Sequence, residues 1–322
     1  MDKFIISRYR FFIRAGKEGL DLPAFKGSAL RGVMGRVIKK IACLQNRDNC
    51  SGCMLRSSCP YSYLFETSPS HGASMMKGYD SVPRPYVIEP PETERERFEP
   101  FEEITFDLLL YGRAVTMFPY LLAAFKEGGR LGLGRGKKKY RLVNVVAHND
   151  LTGESVPIYD GAGDILNFVD LSWSGKDVVK SIHSHAQVNK VKIVFQTPAL
   201  LTVNRNSISR IRDVTFEYLV RNLFRRFSSL YSHHHGEEAG ANYSDLLEKA
   251  GRIECLAAEG AARAWERYSF RQDGRNRMEG FVGYADYAGE LLPFMPYLVL
   301  GQWIHVGKWA AFGMGKYIIS TV

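Results

Sequence analysis

Long apolar runs are missing from this chain of 322 residues. The longest, LLPFMPYLVLGQWI from Leu291 to Ile304, is interrupted by Pro293 and Pro296 and is too short to cross a hydrocarbon core of about 30 Å. A secretory leader is not apparent, because MDKFIISRYRFFIR places its charges too close together for an apolar signal core. A soluble, cytoplasmic protein with no membrane partner is therefore expected. Acidic residues are in deficit, 34 against 43 Lys+Arg, leaving a net charge of +9. Such a balance favours a polyanionic partner, nucleic acid before membrane. Cysteine is scarce outside one stretch: Cys43, Cys50, Cys53 and Cys59 lie together and only Cys255 stands apart. That distribution is not a disulfide framework; clustered thiols in a reducing compartment bind metal. Nucleotide fingerprints are lacking as well. No Gly-Lys is followed by Ser or Thr at Walker A spacing, and the glycine-rich stretches lead into strands instead of opening helices. A nucleotide cofactor is not expected.

What is present is a repeat. PYLLAAFKEGGRLGLGRGKKKYRLV (Pro119 to Val143) and PYLVLGQWIHVGKWAAFGMGKYIIS (Pro296 to Ser320) both begin Pro-Tyr-Leu and continue as an apolar helix-length segment. Both then turn glycine-rich and basic, and both end Lys-Tyr before a strand-like stretch, at a nearly equal offset.

Upstream, the two halves agree in order. KFIISRYRFFIRA alternates and is rich in aromatic and β-branched residues, which predicts a strand. SALRGVMGRVIKKIA has helical spacing with Ser28 as the expected N-cap. RPYVIEP and EEITFDLLLYG read as strands, followed by the Pro119 helix and the strand KYRLVNVVA. In the second half QVNKVKIVFQTPALL reads as a strand ended by Pro198, and IRDVTFEYLVRNLFRRFSSLY as a helix. AARAWERYSFRQ and MEGFVGYADYAG flank DGRNR as a hairpin, and the Pro296 helix and GKYIIS close the unit. Cys255 falls in a segment read as helical, as a small apolar residue. Strand-helix-strand-strand-helix-strand, twice, predicts an α+β protein of two tandem ferredoxin-like (RRM-like, βαββαβ) domains. The expected boundaries are 1–150, with a cysteine-rich insertion at about 43–65, a connector over 151–186, and 187–322.

Glycine lets a backbone reach positive φ and approach a ligand closely, so that successive amides can face phosphate oxygens. A tight helix-to-strand connection explains one or two such glycines. It explains the positive charge of GRLGLGRGKKKYR poorly, and RNA contact is the reading adopted for both loops. The expected contacts are Arg130, Arg135, Lys137 and Lys138 in the first, and Gly307, Lys308, Gly313, Gly315 and Lys316 in the second. Arg267 and Arg271 on the hairpin join them, with Tyr268, Phe270, Phe281 and Tyr284 as stacking candidates, about half of which a strand must bury. Arg221, Arg225 and Arg226 either line the same surface or form a solvated helix face. The cysteines have the spacing C-x6-C-x2-C-x5-C, which suits a tetrahedral structural zinc; an iron–sulfur cluster is the alternative.

The string WERYSFRQ…MEGFVGYADYAGELLPFMPYLVLGQWIHVGKWAAFGMGKYII resembles the C-terminal domain of the CRISPR repeat-RNA-processing endoribonucleases, the sixth numbered CRISPR-associated family, in the RAMP superfamily. LPAFKGSALRGVMGRVIKK, CPYSYLFE, RPYVIEPP and GLGRG resemble their N-terminal half. The resemblance implies a partner, CRISPR repeat RNA, and cleavage of the long precursor once per repeat without a catalytic cofactor. A ribose 2′-hydroxyl attacks the adjacent phosphorus and leaves a 2′,3′-cyclic phosphate and a 5′-hydroxyl. It also leaves open a non-catalytic RNA-binding subunit of a CRISPR effector complex.

Such chemistry needs alignment, proton transfer and stabilisation of charge on phosphorus. Histidine suits the proton and Lys or Arg the charge. His305, ahead of the second glycine-rich loop, and Lys308 are candidates, with helix capping as the alternative for His305. His233, His234 and His235 follow the long basic helix, where the family often has a histidine. Many members carry a catalytic histidine near the first helix; here that helix offers Arg31, Arg36, Lys39 and Lys40 instead. Lys26 and Arg31 are the expected phosphate contacts there. His71, His148, His183 and His185 read as surface residues.

Overall fold

The computed structural model describes residues 1–45, 50, 52–67, 82–182, 188–236, 242–269 and 274–321, with side chains for all of these except 266–269, 274–276 and 321. Among the described residues no helix is long and apolar enough to cross a membrane. Two compact units emerge: an N-terminal unit over described residues 5–67 and 82–173, and a C-terminal unit over residues 1–4 and 174–321.

The N-terminal unit begins with β1 (Ile5–Ala15), whose inward residues Tyr9, Phe11 and Ile13 alternate with Arg8, Arg10 and Arg14. After β2 (Leu20–Asp21) comes α1 (Gly27–Ala42), which buries Leu30, Val33, Met34, Val37 and Ile38 along one stripe. Lys39 and Lys40 lie in its last turn, where cations complement the exposed carbonyls. Its N-cap is Lys26, not Ser28, which sits inside the first turn. Then follow α2 (Pro60–Phe65), β3 (Tyr86–Glu89), β4 (Arg97–Phe98), β5 (Glu103–Tyr111), α3 (Phe118–Leu131) and β6 (Tyr140–His148).

β3-β5-β1-β6 is the strand order, all neighbours antiparallel, so the first and third strands of the unit lie at the centre. That is the ferredoxin-like arrangement. β7 (Ser155–Asp160) and β8 (Ile165–Leu166), in the stretch read as a connector, extend the sheet beyond β6. Packing is aromatic: the Tyr9 and Phe118 rings lie 4.1 Å apart and Phe11 lies 4.9 Å from Phe125. β9 (Trp173–Ser174) stands at the junction.

The C-terminal unit opens with α4 (Gly175–Ile182) and repeats the pattern with β10 (Lys190–Ala199), α5 (Phe216–His234), β13 (Glu254–Ser269), β14 (Gly274–Ala288), α7 (Met295–Ile304) and β15 (Tyr317–Thr321). Its sheet order, β13-β14-β10-β15, is the same permutation. The additions are the small hairpin β11 (Leu201–Val203) and β12 (Asn206–Ile208), and α6 (Ser244–Ala250). Thr215 caps α5 by accepting from the Tyr218 amide. Pro198 does not end β10; it falls where the register against β14 shifts, so its missing N–H is not required. Cys255 lies in β13, not in a helix, and is exposed. The long hairpin is as expected, although Phe270 and Arg271 lie outside the described residues.

Candidate RNA-binding surfaces

The second glycine-rich loop joins α7 to β15 and packs closely on the strand end before β11. The amides of Val306, Lys308, Gly313 and Gly315 bond to the carbonyls of Gly315, Leu200, Ala310 and Pro198. The Lys316 amide bonds to the Thr197 hydroxyl at 2.9 Å. Gly313, Met314 and Gly315 are buried. Gly315 has φ +71°, and a Cβ there would lie 1.8 Å from the Val306 carbonyl oxygen. The expected role of Gly313 and Gly315 as phosphate cradles is therefore corrected: these glycines permit a close backbone crossing, and the amides are engaged inside the fold. Gly307 and Lys316 are half-buried. Lys308 alone among the expected contacts here is exposed, its Nζ lying 3.2 Å from the Ser207 hydroxyl.

The first loop is more open. Arg135, Gly136 and Lys137 form an exposed tip, and Lys137 itself has φ +51°. Arg130 is exposed beside Glu127, 3.4 Å away. Lys138 is drawn inward onto Asp21 at 2.7 Å and the Glu18 carbonyl at 3.1 Å, and this contact holds the Asp21 carboxyl below its usual range. Arg36 of α1 reaches the Gly132 carbonyl at 3.3 Å and ties helix to loop.

Burial removes several other candidates. Lys26 has no exposed surface; its ammonium donates to the carbonyls of Ala24 at 2.8 Å and Thr93 at 2.6 Å. Burial pulls its pKa down to about 8, with Glu96 and Glu94 opposing. Arg31 is half-buried, donating to the Tyr86 hydroxyl at 2.9 Å and lying 5.1 Å from the Phe65 ring centre. His305 is completely buried at the C-cap of α7 with φ +60°. Its Nδ1 lies 3.0 Å from the Met314 carbonyl, which can only accept, so this nitrogen carries the proton. The capping reading holds and the reach to phosphate does not.

His234 is 3 % exposed. His233 is half-buried with Nδ1 2.8 Å from the Ser229 carbonyl, and its Nε2 is shut off from solvent. His235 stacks on Phe4 at 4.5 Å. Arg226 is buried and bonds the Ile304 carbonyl at the end of α7, so it caps a helix and does not line a surface. His148 closes β6 with Nε2 3.1 Å from Asp150, which in turn pairs with Arg8 at 2.7 Å. His71, His183, His185 and Arg271 lie outside the described residues, as does the Arg267 side chain. Phe281 is buried, while Tyr284 is half-buried under Lys192, 4.2 Å from the ring centre.

The structure adds basic residues outside the expected contacts. Arg210 and Arg212 are exposed and line a groove of about 520 Å³ with Ala258, Glu259, Gly260 and Phe281. Arg205 sits exposed at the tip of the β11–β12 hairpin, where it and Asn204 both have positive φ. Ser207 of that hairpin carries the contact to Lys308. The signal was available: NRNSISRIRD places three arginines within eight residues between strand and helix.

Around the thiols, Cys43 is the C-cap of α1 and Cys59 the N-cap of α2. All four clustered cysteines line one cavity of about 180 Å³. Burial pushes the Cys50 thiol up, with Glu66, Cys59 and Cys43 adding to it. Among the described residues no group of three or more His, Cys, Asp or Glu already stands arranged to hold a metal.

Two units of one permuted antiparallel sheet, each with a glycine-rich helix-to-strand connection and basic residues beside it, define a tandem ferredoxin-like protein. An N-terminal-domain family model, AF_1859_N, matches residues 4–169, about half of the chain, and the model for the CRISPR-associated endoribonuclease Cas6 matches residues 193–317, within the C-terminal unit. Similar solved structures include the product complex of Cas6 (TTHB231) of Thermus thermophilus, with TM-score 0.56, 14 % identity, and 98 % of this chain and 100 % of that chain covered. The substrate mimic complex of Cas6 (TTHA0078) has TM-score 0.51 and 13 % identity, covering 98 % of this chain and 99 % of that one. A partial Cas6-RT-Cas1–Cas2 complex matches with TM-score 0.56 and 11 % identity, over all of this chain and 47 % of that chain. These likenesses are of fold. A search of curated proteins finds no match.

Proposed function

We propose that this protein cuts CRISPR precursor RNA within its repeats by attack of a ribose 2′-hydroxyl on the adjacent phosphorus. The O2′–P bond forms, the P–O5′ bond breaks, and the products are a 2′,3′-cyclic phosphate and a 5′-hydroxyl. Deoxyribose lacks the nucleophile, so the substrate is RNA. The nucleophile and the leaving group both belong to the substrate, so no metal is assigned to the reaction. The observation that carries the reading is the groove lined by exposed Arg210 and Arg212, with exposed Arg205 on the β11–β12 hairpin and exposed Lys308 against it, within the residues that match the Cas6 model. Lys308 is the cation assigned to the phosphate, and the open tip of Arg135 and Lys137 is a second place for the RNA backbone. Repeat RNA is the partner, and a CRISPR effector complex is the assembly such a chain would join.

Burial of His305 and His234 favours a second reading, an RNA-binding subunit that does not cut. Incubating the protein with repeat RNA in EDTA separates the two. Site-specific fragments ending in cyclic phosphate support the enzyme; a retarded but intact RNA supports the binder. Cutting that persists after His305, His233, His234 and His235 are each changed to Ala moves proton transfer to a tyrosine or lysine.

A further inference from the structure

We infer that Cys43, Cys50, Cys53 and Cys59 bind one zinc ion as a structural clip between α1 and α2. This goes beyond the RNA reading and does not rest on it. Segment 43–59 has no helix or strand among its described residues. Nor does it bring a core of its own: Leu44 is 84 % exposed and Met54 83 %. Ordering such a segment costs about 1–2 kcal/mol per residue in backbone entropy, which burial of this kind cannot offset. The thiols are placed where a cross-link would do the most. Cys43 ends α1, Cys59 begins α2, and these two helices pack together. Cys50 and Cys53 sit three apart in a turn closed by the Cys53 amide on the Cys50 carbonyl at 3.3 Å, with Gly52 at φ +72°. A turn of that kind presents two sulfurs to one centre, and the helix ends supply the other two.

All four thiols line the same cavity, and four thiolates at tetrahedral positions are a complete donor set for a closed structural zinc site. They do not stand ready as a metal shell. The site must therefore close on binding, as metal sites coupled to folding do. What the clip orders is visible in α2: Tyr63 lies buried with the Arg113 guanidinium 4.1 Å from its ring centre, and Phe65 packs against Gly35 and Arg31 of α1.

The test is zinc content and thiol reactivity of the full chain, without reference to cleavage. The protein purified without added metal should contain one zinc per chain by elemental analysis. A water-soluble alkylating reagent should label Cys255 quickly, with the other four cysteines reacting only after a chelator is added. Replacing the ion by Co2+ should give the intense near-ultraviolet band of thiolate-to-cobalt charge transfer. Cys50→Ser with Cys53→Ser should abolish the zinc; if that variant does not fold, the wild-type labelling pattern decides. Five thiols that react at once without chelator overturn the inference, as do zinc retained by the double variant or iron and sulfide found in place of zinc.

Discussion

The hydroxyl of Tyr317 donates to the carbonyl of Leu298 at 2.8 Å, binding the start of β15 to α7 from inside the core. The N-terminal unit contains the same device: Tyr140, opening β6, donates to Phe125 of α3 at 2.8 Å. The Lys-Tyr that ends each sequence repeat is therefore a lock between helix and returning strand. Burial pushes both phenols well above their usual range, so they stay protonated donors. Gly301 makes room in α7, since a Cβ there would lie 1.9 Å from the Tyr317 hydroxyl. Tyr317→Phe should cost about 1 kcal/mol, the net worth of one hydrogen bond. Gly301→Ala should cost about 3 kcal/mol or more, because backbone and ring must both shift. Urea unfolding of the two variants checks the order; equal losses would mean that the ring moves freely.

The repeat was legible in sequence because it is written in spacing: Pro-Tyr-Leu, glycine, Lys-Tyr. The same regularity gave the strand and helix order of both units. Which glycines face solvent was not legible, because Gly313 and Gly136 look alike in sequence. The difference lies in a distant partner, the strand end at Pro198 and Leu200 that engages the second loop. Lys26 and His305 misled for a related reason. A charged or polar residue next to a turn reads as exposed, and only the folded chain brings the carbonyls of Thr93 and Met314 to them. Arg205 and Arg210 do not stand out because they fall between predicted elements, and Arg212 does not because it lies at the start of the segment read as a helix.

Arg210→Ala with Arg212→Ala, and separately Lys308→Ala, should weaken repeat-RNA binding while leaving the unfolding midpoint almost unchanged. These side chains are exposed, and surface changes of this type move stability by about 0.5 kcal/mol or less. For every phosphate left without its cation, the slope of log affinity against log salt should flatten by about 0.7. Filter binding from low to moderate salt reads both effects. An unchanged slope would remove the groove from the RNA path.

Lys137→Gly separates conformation from charge at the first loop. Lys137 holds φ at +51°, which glycine adopts at no steric cost. The variant should be as stable as the parent, or more stable by up to about 1 kcal/mol, and should still bind RNA less tightly. Tighter or equal binding would show that the exposed tip does not meet the RNA backbone.

The last expectation concerns Lys26 and pH. Its ammonium is fully buried, with a pKa lowered to about 8, whereas an unfolded lysine titrates near 10.4. Between those values the unfolded chain binds more protons than the folded one, so stability from this site rises with pH and is lowest below about pH 8, where both states are charged. Lys26→Met lacks the linkage. The buried tyrosines titrate in both proteins and cancel in the comparison. From pH 8 to 9.5 the stability of the parent relative to the variant should therefore improve by about 1–2 kcal/mol. Paired urea titrations across that range measure it. A difference that stays flat would mean that the folded Lys26 holds its proton as firmly as the unfolded one, with the Ala24 and Thr93 carbonyls fully replacing water.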